Sequence, residues 1–275
     1  MSVVPTTVIP TSKNFETNPS ELKVVKLTPL NFQNVNYHQT TGELINNSGN
    51  VKRTYTCLRP KNKGLPRIEA ETVDNKIIVH NYGHGGSGWT LLFGTVERAL
   101  QKFRQVASTQ LLPCDTKITI IGAGVIGLTT AVLLHEKGYT NIEVVSEKMN
   151  DTPSYNAGGL FGIVSLEAGD EAAQKECEYL LLENYRRLVS IMEGKDPVFK
   201  KAVSKLYAYT GNEDTVGPMF QNMGVDILVE NGIIPPGEEV LADFGGKCVY
   251  KMIRYETLFV APNIFMPDVV RLCAE

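Results

Sequence analysis

The chain has 275 residues and a formal net charge of −3, and 43% of its residues are hydrophobic. This ordinary, slightly acidic composition does not predict a basic surface for nucleic acid or for an anionic membrane. The apolar runs are shorter than a membrane span, and Met1–Lys13 has no signal-peptide pattern. The five scattered cysteines lack metal-ligand spacing, which predicts reduced thiols, no metal site and a cytoplasmic location.

Residues 1–56 carry the weakest signals. They are rich in Pro, Asn and Thr, which is typical of turns or of a partly disordered lead-in. Short strands are expected near Leu22–Leu27 and Phe32–Tyr37, and a further strand over Val51–Leu58. We therefore interpret 1–56 either as a lead-in or as strands of a substrate domain.

A glycine-rich loop follows a strand predicted over Asn75–His80. Four of the six residues in Gly83–Gly88 are glycines. This density predicts a backbone that another group must approach closely, although a flexible surface loop is the alternative. Apolar residues at helical spacing then predict a helix over Thr95–Ala107.

A second glycine-rich turn lies in Lys117–Gly127, where an apolar run ends at G-x-G-x-x-G spacing. The run predicts a parallel strand covered on both faces, and the residues after it predict a helix. A second strand, Ile142–Val145, precedes Glu147, which is twenty positions beyond Gly127. A dinucleotide-binding βαβ unit has its ribose-binding acid at this spacing. The alternative is a glycine-rich turn without a ligand.

Each glycine of this triplet has its own predicted role. Gly122 allows the tight turn out of the strand, Gly124 leaves space for a diphosphate, and Gly127 lets helix and strand pack closely. The exposed amides and the dipole of the following helix then favour a negatively charged diphosphate.

The C-terminal half is predicted to begin with a long helix. Asp170 is expected to cap this helix, which runs to about Met192. The pattern over Val203–Phe259 is strand-like with several turns, one of them at Gly224. A last helix is expected from near Pro267.

Several separated stretches resemble the D-amino acid oxidase family of flavoenzymes. The most specific is H-N-Y-G-H-G-G-S-G at His80–Gly88. The similarity covers roughly residues 51–275. The other stretches are I-G-A-G-V-I-G-L at Ile121–Leu128, C-L-R-P at Cys57–Pro60, P-R-I-E-A-E at Pro66–Glu71, Asn156–Leu160 and Arg254–Glu275.

The order of these stretches is inverted relative to that family, in which the glycine triplet opens the chain and the G-H-G-G motif closes it. Either the chain is circularly permuted, or it contains the junction of two tandem copies. One permuted domain would place the strands Asn75–Val79 and Lys117–Ile121 in one sheet. The middle portion of the family has no counterpart, so we expect an incomplete fold, or one completed by a second chain or segment.

The resemblance implies an α/β fold with two parts. Residues 57–165 are expected to form a Rossmann-like FAD-binding domain, to which 260–275 return. Residues 166–259 are expected to form a partial substrate or cap domain with a mixed or antiparallel sheet. The FAD-binding residues that the resemblance implies are Gly85, Gly86, Ser87, Gly88, Trp89, Thr90, Gly122, Ala123, Gly124, Val125, Ile126, Gly127, Glu147, Lys148, Ser154, Gly159 and Leu160.

Arg59 is the implied ligand of the substrate carboxylate, because a guanidinium can hold a carboxylate with two hydrogen bonds. A surface arginine is the alternative. The carbonyl of Gly86 would accept from the substrate amino group. Hydride transfer to the flavin needs no general base, so no catalytic side chain is assigned. We expect His84 to be structural, and Arg67 and Glu69 to form a supporting ion pair.

Two classes of function remain open at this point. The first is an FAD-dependent oxidoreductase that converts a D-amino acid to an imino acid while oxygen is reduced to hydrogen peroxide, with a glycine- or sarcosine-type oxidase as a variant. The second is a non-catalytic FAD-binding remnant or interaction protein.

Overall fold

The computed structural model describes residues 23–26, 59–162, 166, 168–200, 202–211, 223–243 and 249–274. These residues form eight strands and five α-helices, and the strands predicted at Phe32–Tyr37 and Val51–Leu58 lie outside them. In chain order the elements are β1 Lys23–Lys26, β2 Arg67–Val73, β3 Lys76–Tyr82, α1 Leu92–Gln110, β4 Ile118–Ile121, α2 Val125–Glu136, β5 Ile142–Val145, α3 Glu171–Met192, β6 Val203–Gly211, α4 Met223–Glu230, β7 Glu238–Asp243, β8 Val249–Val260 and α5 Pro262–Ala274.

The backbone divides into two compact units. One unit contains 1–50, 209–217 and 237–254, and the other contains 51–208, 218–236 and 255–275. In the first unit β1 pairs parallel with β7, and β7 pairs antiparallel with β8. The strand order of this sheet is β1-β7-β8-β6. All predicted site residues belong to the second unit, so the site can be described within it.

In the second unit, β2 and β3 form an antiparallel hairpin that the sequence patterns did not predict in full, because β2 was missed. Asp74 and Asn75 form its two-residue turn with φ angles of 48° and 62°. Positive φ at both positions matches the turn type that suits the right-handed twist of the strands. The helix α1 packs on both strands and on α3. The hairpin therefore positions the loop that connects β3 to α1.

The strand β4, the helix α2 and the strand β5 form the predicted βαβ unit, with β4 and β5 parallel and Ile121 opposite Val145. The expectation that β4 is covered on both faces is wrong. Ile121 is 90% exposed and Val145 is 47% exposed, because α2 packs against the other face of these strands. β3 and β4 also lie in separate two-stranded sheets, so the shared sheet expected of one permuted domain is not observed.

The core of this unit is apolar and is built largely from α1, α2, α3 and α5. Phe199 stacks on Phe265 at 5.2 Å between ring centroids, and Phe93 meets Phe199 edge-on at 5.3 Å. The predicted cap of α3 is confirmed, since Asp170 Oδ1 accepts from the backbone N–H of Ala173 at 2.8 Å. The helices α1 and α3 pack against each other.

Two predictions for the C-terminal half are wrong. The residues after Gly224 form the helix α4 rather than a strand, with Leu228 fully buried. The last helix begins at Pro262, not near Pro267, because proline is favoured in the first turn and a buried face continues through Phe265. Within the ranges given above, no helix combines the length and apolar character needed to cross a membrane.

Candidate functional site

The glycine-rich loop between β3 and α1 is held by an extended segment upstream of β2. The backbone N–H of Gly85 donates to the carbonyl of Pro60, and the N–H of Asn62 donates to the carbonyl of Gly83, both at 3.0 Å. Gly83 and Gly85 both have positive φ, a conformation that glycine adopts without steric cost. The loop is therefore an ordered part of the unit, in contrast to the alternative of a flexible surface loop.

The two residues predicted to bind substrate lie side by side. A Cβ added at Gly86 would lie 3.2 Å from Nη1 of Arg59. Both residues are exposed, so the guanidinium and the Gly86 residue are both open to solvent. Arg67 and Glu69 form the expected ion pair at 2.9 Å, and Arg67 also donates to the Tyr82 hydroxyl at 2.8 Å.

His84 is buried, and its Nε2 lies 3.2 Å from Oγ1 of Thr95. The Thr95 hydroxyl donates to the carbonyl of Leu92, so it accepts from the N–H of His84. This contact assigns the proton to Nε2. Burial lowers the pKa of His84 to about 4, because the charged imidazolium would lose its hydration. At neutral pH the side chain is an uncharged structural donor to α1.

The end of the loop is tied to Gly162, which follows the Gly159–Leu160 segment. The Thr90 hydroxyl donates to the carbonyl of Gly162 at 2.6 Å and accepts from the N–H of Gly162 at 3.1 Å. The Trp89 ring is buried and meets Phe265 edge-on at 5.3 Å. Ser87 and Thr90 are also buried, so little of this end of the loop is open to solvent.

Sequence reasoning missed one polar residue that contacts this loop, Asn184 on α3. Its side chain bonds to the backbone of Trp89, Thr90 and Phe93. The signal was present, because Asn184 lies at helical spacing between Leu181 and Leu188 on an apolar face. An amide at such a position predicts a buried hydrogen-bonding partner elsewhere in the fold.

The glycine triplet forms a close strand-to-helix turn. A Cβ added at Gly127 would lie 2.0 Å from the carbonyl oxygen of Gly122, so only glycine fits there. Gly122 has a φ of 109°. A Cβ at Gly124 would lie 3.3 Å from Oγ of Ser154, and the same hydroxyl accepts from the N–H of Val125 at 2.9 Å. Ser154 therefore lies at the N-terminus of α2, as its predicted role near a diphosphate requires.

Glu147 and Lys148 are exposed just beyond the end of β5. Because β4 and β5 are parallel and Ile121 pairs with Val145, the glycine turn and Glu147 follow the same edge of the sheet. The N–H of Gly122 donates to the carbonyl of Val145 at 2.8 Å and closes this edge. The acid and the turn thus have the relation that a βαβ nucleotide site needs.

The predicted flavin-side residues Gly159 and Leu160 pair with the end of β8. A Cβ at Gly159 would lie 2.0 Å from the carbonyl oxygen of Val260, and the N–H of Val260 donates to the carbonyl of Gly159. Leu160 is bridged to Phe259 and is 48% exposed. The apolar Leu160 side chain is therefore half open to solvent near the Thr90–Gly162 contact. A flat ring could pack against it.

The residues present fit FAD on three observations. The glycine turn is open at Gly122, where an added Cβ would meet no atom within 4 Å, and at Gly124 an added Cβ would meet only the Ser154 hydroxyl, at 3.3 Å. The helix α2 begins at Val125, directly after the turn, so its dipole favours an anion. Within the described chain, the indole N–H of Trp89 and the hydroxyl of Thr152 are buried without a hydrogen-bonding partner, as are the side-chain polar atoms of Asn81 and Thr129. Buried polar atoms of this kind normally have a partner, which a ligand could supply.

Comparison with known proteins gives a short match. No family model matches the chain. A stretch of 47 residues is 43% identical to a D-aspartate oxidase of Cryptococcus neoformans var. grubii serotype A. This stretch is 16% of the chain, and the chain spans 12% of the length of that fungal protein. The match supports a relationship of D-amino acid oxidase type over that stretch, and it does not bear on the order of the segments.

Proposed function

We propose that the chain binds FAD through a Rossmann-like βαβ unit and that it is an oxidoreductase of the D-amino acid oxidase type. The proposed reaction oxidises the CH–NH₂ group of a D-amino acid to an imino acid and reduces oxygen to hydrogen peroxide. The observation that carries the proposal is the position of Arg59 beside Gly86, on a buried glycine-rich loop whose far end contacts Gly162.

The cofactor would be held from two sides. The Gly122–Gly127 turn and the N-terminus of α2 would bind the diphosphate, and Glu147 would accept from the ribose hydroxyls. The backbone of Gly85–Thr90, with Gly159 and Leu160, would lie against the ring system. When bound, FAD supplies a hydride acceptor that no protein side chain can replace. The protein residues contribute binding, orientation and the exclusion of water.

The substrate would be held by Arg59 and Gly86. A guanidinium binds a carboxylate with two parallel hydrogen bonds, which fixes the direction of the α-carbon. The Gly86 carbonyl would accept from the amino group and fix the second point of attachment. His84 is a poor candidate for a base, because it is buried and a pKa of about 4 makes its imidazole a weak proton acceptor.

An acidic D-amino acid is the first substrate to test, since the fungal protein with the matching stretch is a D-aspartate oxidase. The two functional groups that Arg59 and Gly86 would contact are common to all α-amino acids, so these residues alone do not select a side chain. Side-chain selectivity would come from other residues.

A second candidate is an FAD-binding chain whose site is completed by another chain or segment. It is favoured by the exposed face of β4 and β5, where Ile121 is 90% exposed. Parallel strands are normally covered on both faces. In that case the purified chain would bind FAD but would not oxidise an amino acid.

The experiment that tests the cofactor is the visible absorbance of the purified chain after incubation with FAD and gel filtration. Gly124→Val should abolish flavin binding, because the added side chain would occupy the diphosphate space. Gly169→Val is the matched control, since a Cβ there meets no atom within 4 Å and no role in binding is assigned to it. Equal flavin content in wild type and Gly124→Val would contradict the Rossmann-like site.

The test of the substrate role is peroxide release from a panel of D-amino acids that includes D-aspartate. Arg59→Leu should leave FAD binding intact and lower kcat/KM by about 100-fold or more, which is the loss expected for a charged hydrogen-bonding partner. Arg59→Lys should rescue poorly, because an ammonium lacks the planar fork. Full activity in Arg59→Leu would make Arg59 a structural residue. Flavin binding without any oxidation would favour the second candidate.

A further inference from the structure

Asn184 is a polar residue in an otherwise apolar buried face of α3. It is fully buried, and its helical neighbours Leu180, Leu181 and Leu188 are fully buried as well. Burying an amide in such surroundings costs free energy unless its hydrogen bonds are made. An apolar residue would pack there at lower cost, so the amide needs a specific explanation.

The side chain of Asn184 is satisfied by three backbone groups far away in the sequence. Its Nδ2 donates to the carbonyl of Trp89 at 3.1 Å and to the carbonyl of Thr90 at 2.7 Å. Its Oδ1 accepts from the N–H of Phe93 at 2.9 Å. Both donors and the acceptor of the amide are used, so a single side chain spans the junction between the glycine-rich loop and α1.

The two halves of the amide do different things. The acceptor satisfies an N–H in the first turn of α1, whose N-cap residue Leu91 makes no side-chain cap. The donors hold the carbonyls of Trp89 and Thr90, which precede the helix. Thr90 is held on its other side by the two hydrogen bonds to Gly162. The donors therefore act on the loop and not on the helix.

We propose that Asn184 is a positioning residue for the flavin, which it places by fixing the Trp89–Thr90 backbone through its two N–H donors. This inference rests on the proposed FAD site for its functional part. Asn184 has no role of its own in the chemistry. Its effect on the loop can be measured in the chain without FAD, since Trp89 is the only tryptophan of the sequence.

The variant Asn184→Asp separates the effect of the Oδ1 acceptor from the effect of the two N–H donors. The aspartate keeps the acceptor for the N–H of Phe93 and adds a negative charge at the N-terminus of α1, which is favourable. It loses both donors and places a carboxylate against two carbonyl oxygens. The buried carboxylate lowers stability in either case, so the accessibility of Trp89 is the readout that decides: if Asn184 only caps α1, Trp89 stays as buried as in wild type. If it positions the loop, Trp89 becomes accessible.

The experiment measures acrylamide quenching of Trp89 fluorescence and the Kd for FAD on the full chain, well below the unfolding midpoint. We expect the quenching constant of Asn184→Asp to rise about twofold or more as the loop opens locally. The Kd for FAD should rise about tenfold, which is 1.4 kcal/mol. Should Asn184→Asp not fold, Asn184→Ser gives the same readouts, because its short hydroxyl cannot hold both carbonyls.

Asn231→Asp is the matched control. Asn231 also donates its amide to a backbone carbonyl, that of Ile227 at 2.9 Å, and to Glu178. It is distant in sequence from the loop and exposed. This variant should lower stability without changing Trp89 or the Kd for FAD.

The outcomes distinguish the two proposals. Unchanged quenching and unchanged Kd in the Asn184 variants would overturn the positioning role while the FAD site stands. If wild type binds no FAD, the proposed function fails and so does the functional part of this inference, while the quenching of Trp89 still decides whether Asn184 holds the loop.

Discussion

The Gly83–Gly88 loop and the Gly122–Gly127 turn both lead from a strand into a helix, and both use glycines with positive φ. They are held in different ways. The first is largely buried and is bonded to Pro60, and the Trp89–Thr90 segment that continues it is bonded to Gly162 and Asn184. The second is close-packed on itself, with one side-chain contact from Ser154.

The difference shows how the two turns obtain their shape. In the triplet turn the shape comes from local steric exclusion, so a motif of six residues is enough to predict it. In the first loop the shape depends on side chains and backbone groups contributed by other elements of the unit. A local motif predicts only that the loop is unusual there, and the tertiary contacts determine what it does.

The largest effect is expected at Gly127, where the Gly122–Gly127 turn (the triplet turn) leaves no space for a side chain. Gly127→Ala would place a Cβ 2.0 Å from the carbonyl oxygen of Gly122, and neither backbone atom can move without opening the turn. We expect the free energy of unfolding to fall by at least about 4 kcal/mol, measured by urea denaturation. Gly169→Ala, in open space, should change it by less than about 1 kcal/mol. Equal stability of the two variants would mean that the turn is not close-packed.

The free energy of unfolding should depend on pH, because His84 in the buried loop can be protonated more easily in the unfolded chain than in the folded one. Burial lowers the pKa of His84 from 6.5 to about 4. Between these values the unfolded chain binds the proton and the folded chain does not. The stabilisation from neutral His84 is therefore complete above pH 6.5 and is lost as the pH falls towards 4, by about 3 kcal/mol.

The measurement is urea denaturation of wild type and His84→Gln at several pH values between 4 and 7. Glutamine stays neutral and can still donate to Thr95. The difference in unfolding free energy between the two proteins should shrink or reverse as the pH falls. A difference that is constant with pH would show that His84 titrates normally and that the β3–α1 interface is open to water.

Local patterns predicted the elements that are stabilised locally. The strand Ile142–Val145 was predicted with its observed bounds, and the cap at Asp170 is confirmed. The strand β2 was missed because its charged residues hide the alternation, and its pairing is set by the Asp74–Asn75 turn. A hairpin can override weak strand propensity in this way.

The diphosphate side of the site was predicted from the spacing of the glycine triplet and Glu147, and the remaining site residues were predicted through the resemblance. The hydrogen bonds of Thr90 with Gly162 join residues that are far apart in the chain, and Arg59 also lies near Gly86 although 27 positions separate them. Hydrogen bonds across such separations leave no periodic trace in a sequence. Asn184 was missed for the same reason, since a single polar residue in an apolar helix face does not indicate which distant group it bonds to. The assignment of these residues to FAD and substrate stays a prediction.

The smallest expected effect belongs to the side-chain contact of the triplet turn. Ser154→Ala removes the hydroxyl that accepts from the N–H of Val125 at 2.9 Å. This N–H is at the N-terminus of α2, where water can replace the lost acceptor because Ser154 is only half-buried. We expect a loss of about 1 kcal/mol in the free energy of unfolding, as for other capping hydroxyls.

Ser108→Ala is the control, because its hydroxyl donates to the carbonyl of Gln105 on the exposed surface of α1. It should cost less than about 0.5 kcal/mol. If Ser154→Ala instead cost as much as Gly127→Ala, the triplet turn would depend on a tertiary contact as strongly as the buried loop does. The contrast between a locally determined turn and a tertiary one would then be wrong. If FAD raises the unfolding temperature of Ser154→Ala and of wild type equally, the diphosphate does not need the hydroxyl, and the FAD-binding role predicted for Ser154 is wrong.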